Sequence, residues 1–171
     1  MESSTATIHP DRKLLSFVVA GHTCGMPLEC VSEIVPMAAL SHPPGLPLIL
    51  EGFLNLGGNF VPVIRLDRLF SLPEQIPGLN THLLIVHGKD APNALLVDRV
   101  EELLSIPVDA VAPVRQELSF NGCVIAEIQV GDKIIHLISP ERVLLEQEAQ
   151  RINELRAIVQ QRLQNLETEQ T

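Results

Sequence analysis

The chain has 171 residues, 46% of them apolar, which is enough to bury a core in one domain or in two small domains that pack together. Its 21 acidic and 12 basic residues give a net charge of −9, and it contains no Trp or Tyr and only five Phe. Because this charge repels phosphate and stacking side chains are scarce, nucleic acid is not expected as a partner.

The number of cysteines and the length of the apolar runs indicate the cellular compartment in which the protein is expected. An odd number of cysteines in a chain this long indicates a reducing environment, so a cytoplasmic location is expected. The apolar run LLSFVVAG after Lys13 approaches the length of an export signal, but Glu2 and Asp11 lie where such signals are basic, which favours a strand. No apolar run reaches the roughly 18 residues needed to span a bilayer, so direct membrane insertion is not expected. The cysteines are Cys24, Cys30 and Cys123.

The first half of the chain predicts two β-hairpins after a flexible polar tail over residues 1–13. Residues 14–20 are rich in β-formers, GHT is a turn, and CGMPLECV runs back as the second arm. The prolines of SHPPGLP predict an extended loop. Gly57 and Gly58 supply the positive φ of a turn between EGFLNL and FVPVIRL, and DRLF closes with a helical turn. Pro62 lacks an amide hydrogen and is therefore expected at a sheet edge or a bulge.

The second half repeats this plan after the linker SLPEQIPGLN. THLLIVHG and NALLVDRV predict a hairpin, VDRVEELL corresponds in order and character to ECVSEIVP, and GCVIAEIQVGDKIIHLI predicts a hairpin with a Gly-Asp turn. We infer an internal duplication of a small β-barrel, with subdomain 1 at about 14–72 and subdomain 2 at about 80–139. Because each copy is too small to hide its apolar faces alone, the two should pack together.

Helical periodicity takes over from Pro140 to about Leu166, within a C-terminal helix and tail over residues 140–171, and Ser139 is the expected N-cap. The apolar side chains of this helix form a stripe that extends well past the barrel. Two interpretations remain open: the helix folds back on its own domain, or it is a self-association or partner helix that makes a homodimer. The stripe consists of Leu145, Ile152, Leu155, Val159, Leu163 and Leu166.

Scattered His, Cys and Asp residues could suggest chemistry, but they form no recognised motif. His22, Cys24 and Cys30 have the spacing H-x-C-x5-C, without a C-x2-C knuckle or a fourth ligand, which favours packed thiols over zinc. Asp98 follows an apolar strand, where a carboxylate more often accepts backbone hydrogen bonds than acts as a base. No P-loop, dinucleotide or G-x-S-x-G motif is present. We therefore predict no catalytic residue, no metal and no cofactor.

Four strings, VSEIV, GFLNLGG, VPVIRL and LLVDRVEELL, resemble the CheW-like family of chemotaxis coupling proteins. The typical forms in that family read V-x-E-I, G-x-x-N-L-R-G, V-P-V-I-D-L and V-D-x-V, and the resemblance extends from about Leu14 to about Leu145. It implies a mainly β fold of two SH3-like five-stranded β-barrels packed together, with short helices and a long C-terminal α-helix, and no catalysis. Such proteins bridge transmembrane chemoreceptors to a histidine autokinase, so the resemblance implies a cytoplasmic adaptor held at membrane receptor arrays by its partners.

The resemblance also implies two contact surfaces, which we call the kinase surface and the receptor groove. The kinase surface would bind the regulatory domain of a CheA-type histidine kinase, and its residues are Val31, Glu33, Gly52, Asn55, Leu56, Gly57, Gly58 and Arg65. The receptor groove would receive the helical tip of a chemoreceptor between the barrels, and it is lined by Val31, Val100 and Leu103. The valines could equally be core residues, and the glycines could serve only turns and bulges.

Two positions depart from the family pattern. The Arg of N-L-R-G is Gly57, and the Asp of P-V-I-D-L is Arg65. In the family that Arg lies near the Glu matched by Glu33, so an ion pair is lost unless Arg65 substitutes from the neighbouring strand. Because charged rim groups select partners, we expect a dedicated receptor and kinase in an alternative pathway of the surface-sensing or pilus type. The alternatives are an array scaffold that has lost kinase coupling, and a small hydrolase or metal enzyme.

Overall fold

The computed structural model describes residues 13–88, 90–106, 111–113 and 122–169. The predicted N-terminal tail up to residue 12 lies outside them. The strands are β1 Lys13–Val19, β2 His22–Pro27, β3 Val31–Pro36, β4 Leu50–Leu56, β5 Asn59–Arg65, β6 His82–Val86, β7 Asn93–Val97, β8 Arg99–Ser105, β9 Val111–Pro113, β10 Val124–Val130 and β11 Lys133–Ile138. The α-helices are α1 Leu66–Leu69 and α2 Glu146–Glu169, and single 3-10 turns occur at Leu28–Cys30 and Pro140–Arg142.

The strands form two sheets of related plan. A six-stranded sheet has the order β8-β1-β2-β11-β10-β9, and a five-stranded sheet has the order β3-β6-β7-β5-β4. Each order begins with an edge strand, continues with a hairpin, and reaches a second hairpin through one parallel pair, β2 with β11 or β7 with β5. The hairpins predicted in the two halves are all present, and the correspondence of the two orders agrees with a duplication.

The two halves of the chain exchange their first hairpins. The β1–β2 hairpin joins β8 and β11 of the second half, whereas the β6–β7 hairpin joins β3 and β5 of the first half. The subdomains predicted at 14–72 and 80–139 therefore do not coincide with the two sheets. The connectors give the physical reason: only Asp98 separates β7 from β8, and one residue is too short to turn β8 back beside β7. The chain instead runs on into the other sheet.

Closed barrels are not observed. Neither strand order returns to its first strand within the described ranges, so both sheets are open at their edges. The structure thus has a mainly β fold with a six-stranded and a five-stranded sheet in place of the expected pair of five-stranded SH3-like barrels.

The core joins both sheets to the C-terminal helix. A central apolar cluster combines Phe17 and Met26 of the six-stranded sheet with Ile64 and Leu84 of the five-stranded sheet and Ile152 of α2. Two smaller clusters belong to one sheet each. Because the largest cluster draws on both sheets, the sheets pack on each other, as the small size of each copy led us to expect.

The position of Pro62 differs from the prediction. Pro62 is buried in β5, which lies between β7 and β4 and is not an edge strand. The parallel pairing of β5 with β7 starts at the next residue, Val63. The missing amide hydrogen of Pro62 therefore falls just before the first residue of that ladder.

The C-terminal helix begins later than predicted. Residues 140–142 form a 3-10 turn, the Ser139 side chain makes no capping hydrogen bond, and α2 starts at Glu146. The Leu145 N–H instead donates to Glu148 Oε1 at 2.8 Å, an arrangement in which the third helical residue caps the residue before the helix.

Candidate docking surfaces

The β4–β5 turn is the most accessible part of the predicted kinase surface. Gly57 and Gly58 have φ of +62° and +92°, the left-handed conformation that glycine adopts without strain, and a Cβ added at either would meet no atom within 4 Å. Asn55 Oδ1 accepts a hydrogen bond from the Gly58 N–H at 2.8 Å, which holds the turn together. Asn55, Gly57 and Gly58 are exposed and Leu56 is half-buried. The structure therefore presents these four residues together at one tip.

Gly52 is a buried glycine that another part of the same chain covers. A Cβ at this position would lie 2.6 Å from the Ser41 carbonyl oxygen. Ser41 pairs with Phe53 through two backbone hydrogen bonds of 2.9 Å, which places the 40–42 segment against the outer edge of β4. A glycine permits close approach of another backbone, and here the 40–42 segment of the same chain makes that approach. Gly52 is therefore not exposed on the predicted kinase surface.

Arg65 is also buried, with 3% of its side chain exposed. Its guanidinium makes a two-point contact with Asp67, Nε to Oδ1 at 3.0 Å and Nη2 to Oδ2 at 2.7 Å, and Nη1 lies 3.4 Å from Glu51 Oε2. Nη2 also donates to the Gln75 carbonyl at 2.7 Å. Arg65 consequently fastens the segment after α1 to β5, and it does not provide the surface partner for Glu33 that the sequence suggested.

The buried Arg65–Asp67 pair shifts the pKa values of both residues. The hydrogen bond to Asp67 raises the pKa of the Arg65 guanidinium above its ordinary value, against the effect of burial. Burial by itself would raise the pKa of the Asp67 carboxyl, but the hydrogen bonds from Arg65 and from the backbone N–H groups of Gln75 and Arg68 lower it below its ordinary value. Both groups therefore stay charged at neutral pH.

Val31 and Glu33 lie on β3, the edge strand farthest in strand order from β4. The register of β3 with β6 shifts between these two residues, and the Ser32 hydroxyl donates to the Ile85 carbonyl at 3.1 Å. Val31 packs partly against the central cluster, whereas Glu33 and the following Ile34 are exposed. Two strands, β6 and β7, separate these residues from the β4–β5 hairpin in the sheet order.

The residues of the predicted receptor groove lie on two edge strands. Val31 begins β3 of the five-stranded sheet, and Val100 and Leu103 belong to β8 of the six-stranded sheet. Val31 and Val100 pack partly against the same central cluster, and Leu103 exposes 50% of its surface. The two valines thus border the junction of the sheets while Leu103 presents an apolar side chain to solvent.

Comparison with known proteins identifies the fold family. The CheW-like domain family matches residues 13–148. This chain belongs to the CheW-like family. Its CheW-like region is similar to "Chemotaxis protein CheW" of Bacillus subtilis (strain 168), with 22% identity over 148 residues covering 85% of this chain and 95% of that one. "Chemotaxis protein CheW" of Treponema pallidum (strain Nichols) is 24% identical over 114 residues, covering 64% of this chain and 67% of that one.

A solved structure has the same fold as this CheW-like chain. The crystal structure of scaffolding protein TtCheW from Thermoanaerobacter tengcongensis matches with a TM-score of 0.74 at 24% identity, over 83% of this chain and 94% of that one. Among the residues that the structure describes, no helix is long and apolar enough to cross a membrane.

Most of α2 lies beyond the CheW-like match, which ends at residue 148. Ile152 and Leu155 are buried in the central cluster, and Val159 and Leu163 pack partly against it. The helix therefore folds back on its own domain, as the first of the two interpretations held. The remaining members of the predicted stripe are exposed, Leu145 by 48% and Leu166 by 57%.

Sequence reasoning missed one residue of α2 that contacts the predicted kinase surface. The Gln160 side chain donates from Nε2 to the Gly58 carbonyl at 2.9 Å, and its Oε1 accepts from the Phe60 N–H at 3.3 Å. Gln160 lies 102 residues from Gly58 in the chain, within the polar run QQRLQN, and no local pattern distinguishes it from its neighbours.

The Cys and Asp residues that could have indicated a catalytic or metal site have structural roles. Burial, followed by the nearby charges of Cys123 and Asp98, raises the pKa of the Cys24 thiol to about 12, and burial raises the pKa of the Cys123 thiol to about 11. Asp98 Oδ2 accepts the Ala20 N–H at 2.8 Å and so stabilises the β1–β2 turn, the role expected for it. In the part of the chain that the structure describes, no group of three or more His, Cys, Asp or Glu residues is arranged to hold a metal ion.

Proposed function

We propose that this chain is a non-catalytic adaptor that couples methyl-accepting chemoreceptors to a CheA-type histidine kinase in chemotaxis-like signalling. The observation that carries the proposal is the match to the CheW-like domain over residues 13–148. Two relatives are named chemotaxis proteins, and the solved structure is that of a scaffolding protein.

The β4–β5 turn is the proposed site of kinase docking. Its carbonyl and amide groups are accessible at Gly57, and glycine lets another backbone approach closely. Ser41 occupies the middle of the outer edge of β4, so a partner strand would meet β4 at the turn end and not at Gly52. A short edge with a few free backbone groups suits strand addition by the kinase regulatory domain.

The receptor contact is proposed at the two edge strands. A helical tip buries apolar side chains along one face, and Leu103 of β8 and Ile34 of β3 expose 50% and 42% of their surfaces. Val31 and Val100 would line the floor between them because both rest on the central cluster. In this arrangement the adaptor acts in the cytoplasm and reaches the membrane through its receptor.

A second candidate, an array scaffold that has lost kinase coupling, is favoured by one observation. The position of the family arginine is Gly57, and Arg65 is buried against Asp67, so Arg65 does not restore a positive charge to the turn. Under the first proposal the same difference selects a dedicated kinase of an alternative, surface-sensing or pilus-type pathway.

Titration calorimetry separates the candidates. The full-length chain is titrated with the regulatory domain of its cognate CheA-type kinase and, separately, with the cytoplasmic tip of its cognate chemoreceptor. Binding to both supports the adaptor, binding to the receptor alone supports the scaffold, and binding to neither contradicts both.

The third class considered from the sequence, a small hydrolase or metal enzyme, gains no support from the site. The Cys24 and Cys123 thiols are buried and have raised pKa values, so they remain protonated at neutral pH and are poor nucleophiles. Asp98 is engaged by the Ala20 N–H.

A further inference from the structure

The Gln160 side chain hydrogen-bonds to two backbone groups at the start of β5 that β7 does not pair with, the Gly58 carbonyl and the Phe60 N–H. Leu56 and Asn59 face each other across the Gly57–Gly58 turn. In an antiparallel hairpin this directs the backbone of Asn59 towards β4 and leaves the Gly58 carbonyl and the Phe60 N–H on the opposite side. β7 lies on that side, but its pairing with β5 starts only at Val63.

The Gln160 amide supplies one acceptor and one donor to those two groups. Its Oε1 receives the Phe60 N–H at 3.3 Å and its Nε2 donates to the Gly58 carbonyl at 2.9 Å, the pattern that a residue of a parallel strand would offer. α2 packs along β5, and Leu155 and Val159 hold the same stretch of helix against the central cluster. Gln160 is thereby held in place by the packing of its own helix.

We propose that Gln160 is a positioning residue for kinase docking: through its side-chain amide, α2 fixes the orientation of the β4–β5 turn that the kinase regulatory domain contacts. This inference rests on the proposed function. The turn has two consecutive residues of left-handed backbone with open space around them. Asn55 holds the turn together internally through the Gly58 N–H, and Gln160 ties it to α2. A restrained turn loses less conformational freedom when a partner binds, which raises affinity.

The test uses the full-length chain with Gln160→Met. Methionine has a similar length and helix propensity but forms neither hydrogen bond, so helix packing is retained. Gln161→Met is the matched control, because the neighbouring Gln161 is exposed and its side chain donates along the helix, from Nε2 to Asn165 Oδ1 at 3.3 Å. Amide hydrogen exchange of Phe60 is followed by NMR, and affinity for the cognate kinase regulatory domain is measured by calorimetry.

For Gln160→Met we expect Phe60 amide exchange about tenfold faster and kinase binding about three- to tenfold weaker, with unchanged receptor-tip binding. Gln161→Met should change none of these. Faster Phe60 exchange with unchanged kinase affinity would overturn the positioning role and leave the proposed function standing. Unchanged Phe60 exchange would overturn the inference at its first step. Wild-type protein that fails to bind the kinase domain at all would overturn the proposed function, and the docking role with it.

Discussion

At the scale of single residues, the Arg65–Asp67 pair makes stability depend on pH. The folded-state pKa of Asp67 is below its ordinary value of 3.8, so its contribution to the free energy of unfolding is fully present above that pH and is lost as pH falls through the lower folded-state pKa. The pair is buried, and removing one partner leaves the other charge uncompensated.

We therefore expect Asp67→Asn to lower the free energy of unfolding at pH 7 by about 3 kcal/mol, with the difference from wild type shrinking as pH falls below 3.8. Urea denaturation across a pH series measures this. Glu74→Gln is the control, since Glu74 is half exposed and its contact with the same guanidinium should contribute less than about 1 kcal/mol. Equal losses in the two variants at pH 7 would contradict the assignment.

Gly57 is the residue at which partner choice is expected to be decided. Gly57→Arg should raise affinity for the regulatory domain of a flagellar chemotaxis kinase about fivefold, because it restores the charge of the N-L-R-G pattern at a position where an added Cβ meets no atom within 4 Å. Calorimetry measures the change. Gly57→Ala carries the same left-handed strain without the charge, and it should not raise the affinity. If the arginine variant leaves affinity unchanged, the specificity argument is removed.

At the scale of elements, α2 is part of the core along its first half and exposed at its end. Leu155→Ala should lower the free energy of unfolding by about 2 to 4 kcal/mol, because Leu155 is buried in the central cluster. Leu166→Ala, on the same helix but 57% exposed, should change it by less than about 0.5 kcal/mol. Chemical denaturation distinguishes the two, and a comparable effect of both would show that the far end of α2 is covered by a partner.

The packing of α2 against the core limits which of its residues could form a homodimer. Ile152 and Leu155 are used by the chain's own core, so the six-residue stripe is not available as a whole to a second copy. A homodimer through α2 stays a prediction that would have to use its exposed positions, Ile158 and Leu166.

At the scale of the whole molecule, the exchange of first hairpins makes each half incomplete. Fragments 1–76 and 77–171, divided in the linker where Ile76 is 94% exposed, should each lack a cooperative thermal transition. Mixed together they should regain one, because the β1–β2 and β6–β7 hairpins then find the sheets that they complete. Circular dichroism measures the transition. A cooperative transition in either fragment alone would show that one half folds without the other.

Features that depend on neighbouring residues could be predicted from the sequence alone. Alternating apolar residues and glycine turns placed the hairpins, the Gly57–Gly58 turn and the helical turn after β5, and four ordered motifs pointed to the CheW-like family that the match over residues 13–148 shows. These features are local, since each depends on the side-chain period or on a backbone angle that glycine permits.

The pairing of hairpins with sheets, and the choice of motif residues that reach the surface, became clear from the folded chain. Gly52 and Arg65 belong to motifs that predicted a docking surface, but Ser41 covers Gly52 and Arg65 is buried against Asp67. Gln160 contacts a turn 102 residues away in the chain. The physical reason is that such contacts depend on pairings between distant segments. Those pairings are set by how the apolar faces of two incomplete halves bury each other, which no local pattern records.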